Sequence, residues 1–101
     1  MFEKLSDEAI DQALAPLDGW VKLPVRSAIS KTFLFKDFSQ AWGFMSRCAL
    51  LAEQLNHHPE WFNVYNRVEV TLSTHDAGGL STLDMQLAQA MNDVASSGER
   101  D

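Results

Sequence analysis

Residues Glu53 to Asp84 read E-Q-L-N-H-H-P-E-W-F-N-V-Y-N-R-V-E-V-T-L-S-T-H-D-A-G-G-L-S-T-L-D. The middle of this stretch decides the fold. Phe62, Val64, Val68, Val70 and Leu72 fall on one parity. Trp61, Asn63, Tyr65, Arg67, Glu69, Thr71 and Ser73 fall on the other. A period of two predicts β-structure with one buried and one wetter face, and it places Phe62 in the core. Tyr65-Asn66 is a candidate tight turn dividing the run into two strands, and Gly78-Gly79 is a second turn. The same stretch holds all the histidines of the chain, His57, His58 and His75.

Upstream, Ala41, Met45, Cys48, Ala52 and Leu55 recur at spacings of three and four, which predicts a helix over residues 39 to 57. Trp42, Phe44, Ala49 and Leu51 widen its apolar stripe, so a second face of it is expected under a sheet or in a subunit contact. Pro59 disfavours helical geometry at His58 and helps to end the helix there, which puts His57 and His58 at its C-terminal end. Before this helix, residues 20 to 23 and 28 to 35 read as two strands, although Leu34 breaks the alternation of Ile29, Phe33 and Phe35. A short helix over residues 6 to 15 opens on Ser6 as N-cap, with Asp7 and Glu8 at its positive end. Downstream, Ser81 opens a last helix through about residue 95, with Leu83, Leu87, Ala90, Met91 and Val94 inward and a frayed tail from Ser96 to Asp101. The predicted order is α-β-β-α-β-β-α: an α+β fold with a four-stranded antiparallel sheet and its helices packed on one face.

The chain has 101 residues, 46% of them hydrophobic and 22% charged, with a formal charge of -6. This suits one domain over residues 1 to 101. An acidic domain without a basic patch is a poor partner for nucleic acid or an anionic membrane surface. No apolar run approaches the ~20 residues of a membrane helix. The N-terminus lacks the apolar stretch of a signal peptide. Cys48 is the single cysteine, so no internal disulfide forms. A soluble cytoplasmic protein is expected.

The histidines carry the chemistry, because imidazole titrates nearest neutral pH. The plain structural reading makes His57 and His58 helix-capping residues and His75 a turn residue. Two adjacent histidines beside Pro59, with a third at a strand end, point instead to proton transfer on a small neutral or heteroaromatic molecule. Glu53 lies four residues before His57, so on one helix face it is expected to orient that imidazole. Ser81-Thr82-Leu83-Asp84 matches a capping box, which alone would account for Asp84. Trp61 offers a flat surface for a planar ligand. Adjacent histidines make a poor metal pair, and no phosphate loop or nucleophile elbow is present.

The segment Glu53-Gln54-Leu55-Asn56-His57-His58-Pro59-Glu60-Trp61-Phe62-Asn63-Val64-Tyr65-Asn66, followed by Thr71-Leu72-Ser73-Thr74-His75-Asp76 and Gly79-Leu80-Ser81 with Asp84, resembles the pterin-4a-carbinolamine dehydratases. The likeness is close over about a third of the chain. It implies dehydration of 4a-hydroxytetrahydropterin to quinonoid dihydropterin and water, a hydro-lyase step that recycles tetrahydropterin after aromatic amino acid hydroxylation. It implies no metal and no organic cofactor. The family's active-site histidines fall on His57, His58 and His75, its assisting carboxylates on Glu53 and Asp84, and its substrate-contacting segments on Asn56 to His58 and Ser73 to Asp76, including Thr74. Animal members carry aspartate where this chain has Asn56. They also serve as dimerisation cofactors of a homeodomain transcription factor, which implies a possible regulatory partner for the long helix (Trp42, Phe44, Met45, Leu51). A homodimer through edge strands or a homotetramer through helices is expected.

Overall fold

The computed structural model describes residues 3–99. The elements are α1 (Asp7–Leu14), β1 (Val21–Lys22), β2 (Ile29–Leu34), α2 (Phe38–Leu55), β3 (Glu60–Val64), β4 (Arg67–Leu72) and α3 (Thr82–Glu99), with a single 3-10 turn, His75–Ala77, between β4 and α3. The fold is therefore α+β in the order expected. The strands form one antiparallel sheet in the order β1-β2-β4-β3, and the helices cover one face.

Register explains which side chains meet the helices. Ile29 pairs with Leu72, Lys31 with Val70 and Phe33 with Val68, and the five apolar side chains of this row are buried. Lys31 is tolerated there because its stem lies along the apolar face while Nζ, 4.7 Å over the Phe33 ring, donates to the Asp18 carbonyl and to Asn92 Oδ1. Leu34 points to the open face and is exposed, so the sequence's break in alternation is an outward leucine rather than a slip in register. The ring of Phe44 from α2 sits 4.6 Å from Phe33 and 5.0 Å from Phe35, locking helix to sheet. Each such buried side chain contributes about 1.5–3 kcal/mol of transfer free energy.

The parity read across the whole run Trp61 to Ser73 fails at the hairpin. Val64 pairs with Arg67 across a two-residue turn at Tyr65-Asn66. Paired residues share a face, so crossing two turn residues exchanges odd for even. Trp61 and Asn63 therefore lie on the helix side with Val70 and Val68, and Trp61 packs against the core. Phe62 and Val64 lie on the open face, with Phe62 58% exposed rather than in the core.

The helices differ from expectation at their ends. The inner stripe of α2 is buried at Ala41, Phe44, Cys48 and Ala52, whereas Trp42 stands exposed. Asp37 caps the helix, its Oδ1 accepting from the Gln40 amide at 2.9 Å. The helix stops at Leu55, earlier than Pro59 suggests, because Asn56 takes the left-handed conformation (φ 50°, ψ 44°). The Asn56 amide donates to the Glu53 carbonyl and the His57 amide to the Ala52 carbonyl, a Schellman closure. Helix α3 runs on to Glu99, so Ser96 to Glu99 are helical rather than a frayed tail; Arg100 and Asp101 lie outside the described residues.

Candidate active site

The left-handed turn at Asn56 places the histidines. It takes His57 and His58 off the α2 axis, so neither lies on the helix. His57 turns inward and is buried, and His58 turns outward and is exposed. The second wall comes from the end of β4. Thr74 bridges back to Gly79, closing a loop that holds the 3-10 turn of His75, Asp76 and Ala77. Gly78 ends that turn at φ 74°, a left-handed conformation natural to glycine.

Between the two walls lies a cleft of about 740 Å³ lined by Leu55, Asn56, His57, His58, Ser73, Thr74, His75, Asp76 and Leu83. That volume falls within the range of small-molecule sites. All three histidines reach it.

Two of the histidines have a carboxylate partner, and the pairing differs from that read along the helix. His57 Nε2 lies 2.6 Å from Asp84 Oδ1. His58 Nε2 lies 2.6 Å from Glu53 Oε1. Glu53 thus serves His58, not His57, because the chain leaves the helix before His57 could come to lie on the face of Glu53. Asp84 is fully buried and lies at the centre of a network. Its Oδ2 accepts from the Thr74 hydroxyl at 2.7 Å and from the Ser81 amide at 2.9 Å. The Ser81 hydroxyl lies 2.6 Å from that of Thr74 and also accepts from the Leu83 amide. The capping box is real, and the same carboxylate that caps α3 also holds His57. With two donors on Oδ2, Oδ1 is left to accept from His57 Nε2–H. This leaves Nδ1 as the remaining ring nitrogen of His57.

His75 is exposed and makes no side-chain hydrogen bond among the described residues. Asn56 and Asp76 line the cleft with exposed side chains. The Ser73 hydroxyl lies at the cleft wall and donates to the Ser27 carbonyl at 2.9 Å. The Thr74 hydroxyl is committed to Asp84. Trp61 does not line the cleft. Glu53 and Asp84 stand behind their histidines rather than on the lining. Sequence reasoning missed Leu55 and Leu83 as cleft walls and Thr74-Ser81 as the support of Asp84. The only signal for the latter was the capping serine itself. Among the described residues, no group of three or more His, Cys, Asp or Glu side chains is placed to hold a metal ion. Also among them, no helix is long and apolar enough to cross a membrane.

The family model described as "Pterin 4 alpha carbinolamine dehydratase" matches residues 3–94. A protein of Bradyrhizobium diazoefficiens named "Putative pterin-4-alpha-carbinolamine dehydratase" is 58% identical over 95 residues, covering 94% of this chain and 95% of its own. A Brucella ovis protein of the same name is 53% identical over 92 residues, covering 91% of this chain and 95% of its own. The crystal structure of a "transcriptional coactivator/pterin dehydratase" from Brucella melitensis superposes with a TM-score of 0.91 at 53% identity, covering 92% of this chain and 99% of that one. The chain belongs to the pterin-4a-carbinolamine dehydratase family.

Proposed function

We propose that the protein dehydrates 4a-hydroxytetrahydropterin to quinonoid dihydropterin and water, as a step of tetrahydropterin recycling. The observation that carries this reading is the convergence of His57, His58 and His75 on one cleft, the first two backed by separate carboxylates. The reaction breaks the C4a–O bond and removes one proton from a ring nitrogen. A protonated imidazole gives its proton to the departing hydroxyl, and a neutral one takes the ring proton. The two transfers balance, so the protein ends the cycle with the proton count it began with. His58 and His75, on opposite walls, flank the reacting edge. His57, held by Asp84, binds and polarises the pterin, and Asn56, Ser73 and Asp76 meet its polar rim. Histidine acid–base catalysis contributes about 10²–10⁴-fold, which suits an intrinsically easy dehydration. The chain acts as one domain and needs no cofactor for these transfers. Its lone, buried cysteine suits the reducing cytoplasm.

The reading is tested by kcat for His58→Ala and His75→Ala, each expected to fall by about 10²-fold or more. Turnover that survives nearly intact in both would sink the acid–base scheme.

A second reading has its own observation. Phe38, Trp42 and Leu50 stand 50–70% exposed on α2. The Brucella melitensis neighbour is titled a transcriptional coactivator as well as a dehydratase. This face serves self-association into a dimer or tetramer, or a regulatory protein partner. Sedimentation of Trp42→Glu beside the unaltered protein separates these uses. Loss of the oligomer assigns the face to self-association, and an unchanged oligomer leaves it to a partner.

A further inference from the structure

We infer that Arg26 and Glu60 form a clamp that positions the His58 wall of the cleft against the His75 wall, making the β1–β2 loop a working part of the site. Arg26 Nη1 donates to Glu60 Oε1 at 2.9 Å and Nη2 to Oε2 at 2.7 Å. This is the two-point fork that fixes orientation as well as distance. Glu60 opens β3 two residues beyond His58, and only Pro59 separates them. The proline ring fixes its own φ, so a constraint on Glu60 passes to His58 with little slack.

The same loop holds the opposite wall one residue later. The Ser27 carbonyl accepts from the Ser73 hydroxyl at 2.9 Å, and Ser73 lies two residues before His75. Ser27 also packs against Gly79, where an added Cβ would stand 2.6 Å from the Ser27 hydroxyl oxygen. Two adjacent loop residues thus grip both sides of the cleft. Neither is a cleft-lining residue, so Arg26 is a positioning residue, not a catalytic one. The hydrogen bond from Arg26, more than its charge, holds the Glu60 carboxyl below its ordinary range, so the pair stays ionised through neutral pH.

An ordinary surface ion pair is the competing explanation. The side chains are 45% and 58% exposed, and such pairs add little to global stability. The two explanations part on what the pair's loss does to the cleft. A small misplacement of reacting groups can cost up to about 10²-fold in rate.

The test uses the full chain with Arg26→Gln, Glu60→Gln, the double variant and the exchange Arg26→Glu with Glu60→Arg. Histidine ring resonances are recorded by NMR, and kcat and KM are measured for dehydration. The clamp predicts that either single variant shifts the His58 and His75 resonances and leaves His57, tied to Asp84, in place. It predicts a fall in kcat of about tenfold in each single variant. The double variant is no worse than the poorer single, and the exchange recovers part of the loss. Unmoved His58 and His75 resonances with wild-type kcat, or losses that multiply in the double variant, overturn it. The kinetic readout rests on the dehydratase reading; the resonances do not. A protein that fails to dehydrate the pterin still decides the clamp by NMR.

Discussion

His57 Nε2 and Asp84 Oδ1 lie 2.6 Å apart, joining the loop after α2 to the first turn of α3 across 27 residues of sequence. Asp84 is wholly buried, and its other oxygen is filled by Thr74 and Ser81. Asp84→Asn keeps the shape but not the acceptor. The new carbonyl oxygen satisfies Thr74 and Ser81, so the amide nitrogen faces His57 and drives its ring into the other tautomer. The expected result is a fall in kcat of about 10²-fold or more, with stability lowered by about 1–3 kcal/mol. Steady-state kinetics and urea unfolding check both numbers. An unchanged kcat in the folded variant would remove His57 from the chemistry.

Glu53→Gln should behave differently. Its partner His58 is exposed, and the pair is worth at most about 1 kcal/mol. Urea unfolding is expected to move little, while kcat drops about three- to tenfold because a neutral amide oxygen orients the His58 ring less firmly than the carboxylate it replaces. The His58 ring resonances should shift and those of His57 should not. A shift at His57 alone would restore the helix-face pairing that the sequence suggests.

Asn56 holds two jobs that substitution separates. Its left-handed φ of 50° closes α2, and its side chain borders the cleft. Asn56→Ala is expected to cost about 1–2 kcal/mol in urea unfolding, because alanine resists that conformation. Asn56→Gly is expected to stay within about 0.5 kcal/mol of the parent. If the side chain also meets the pterin, KM rises alike in both variants. A rise in the alanine variant alone assigns the residue to the turn.

Cys48 is fully buried on the inner face of α2, and burial pushes its thiol up to about 12. Only the thiolate reacts, so the folded protein should resist iodoacetamide at pH 8. Labelling should rise with urea in step with the loss of helical circular dichroism. Rapid labelling without denaturant would show that α2 opens locally.

How far the chain could be read as a sequence depended on how local each signal was. Ser6, Pro59 and the alternation of Val68, Val70 and Leu72 act over a few residues, so element order and sheet type were legible. So was the capping box at Ser81 and Asp84. Phe62 was misplaced because a two-residue turn exchanges parity, and sequence alone does not count turn residues. Trp61 went the other way for the same reason, from ligand surface to core packing. The histidines themselves were legible, but their partners were not. Glu53 moved from His57 to His58 because one left-handed residue, Asn56, ended the helix early. The bond from Thr74 to Asp84 and the Arg26–Glu60 pair span 10 and 34 residues, and no spacing rule exposes them.

The central claim is that three histidines on one cleft remove water from a pterin. Its most direct test is the rate at which the purified protein, with a chelator present, accelerates water loss from chemically generated 4a-hydroxytetrahydropterin. Ultraviolet absorbance follows the reaction beside its spontaneous course. The account predicts chelator-insensitive acceleration that falls about 10²-fold or more in His75→Ala. A folded protein that leaves the spontaneous rate unchanged would contradict it.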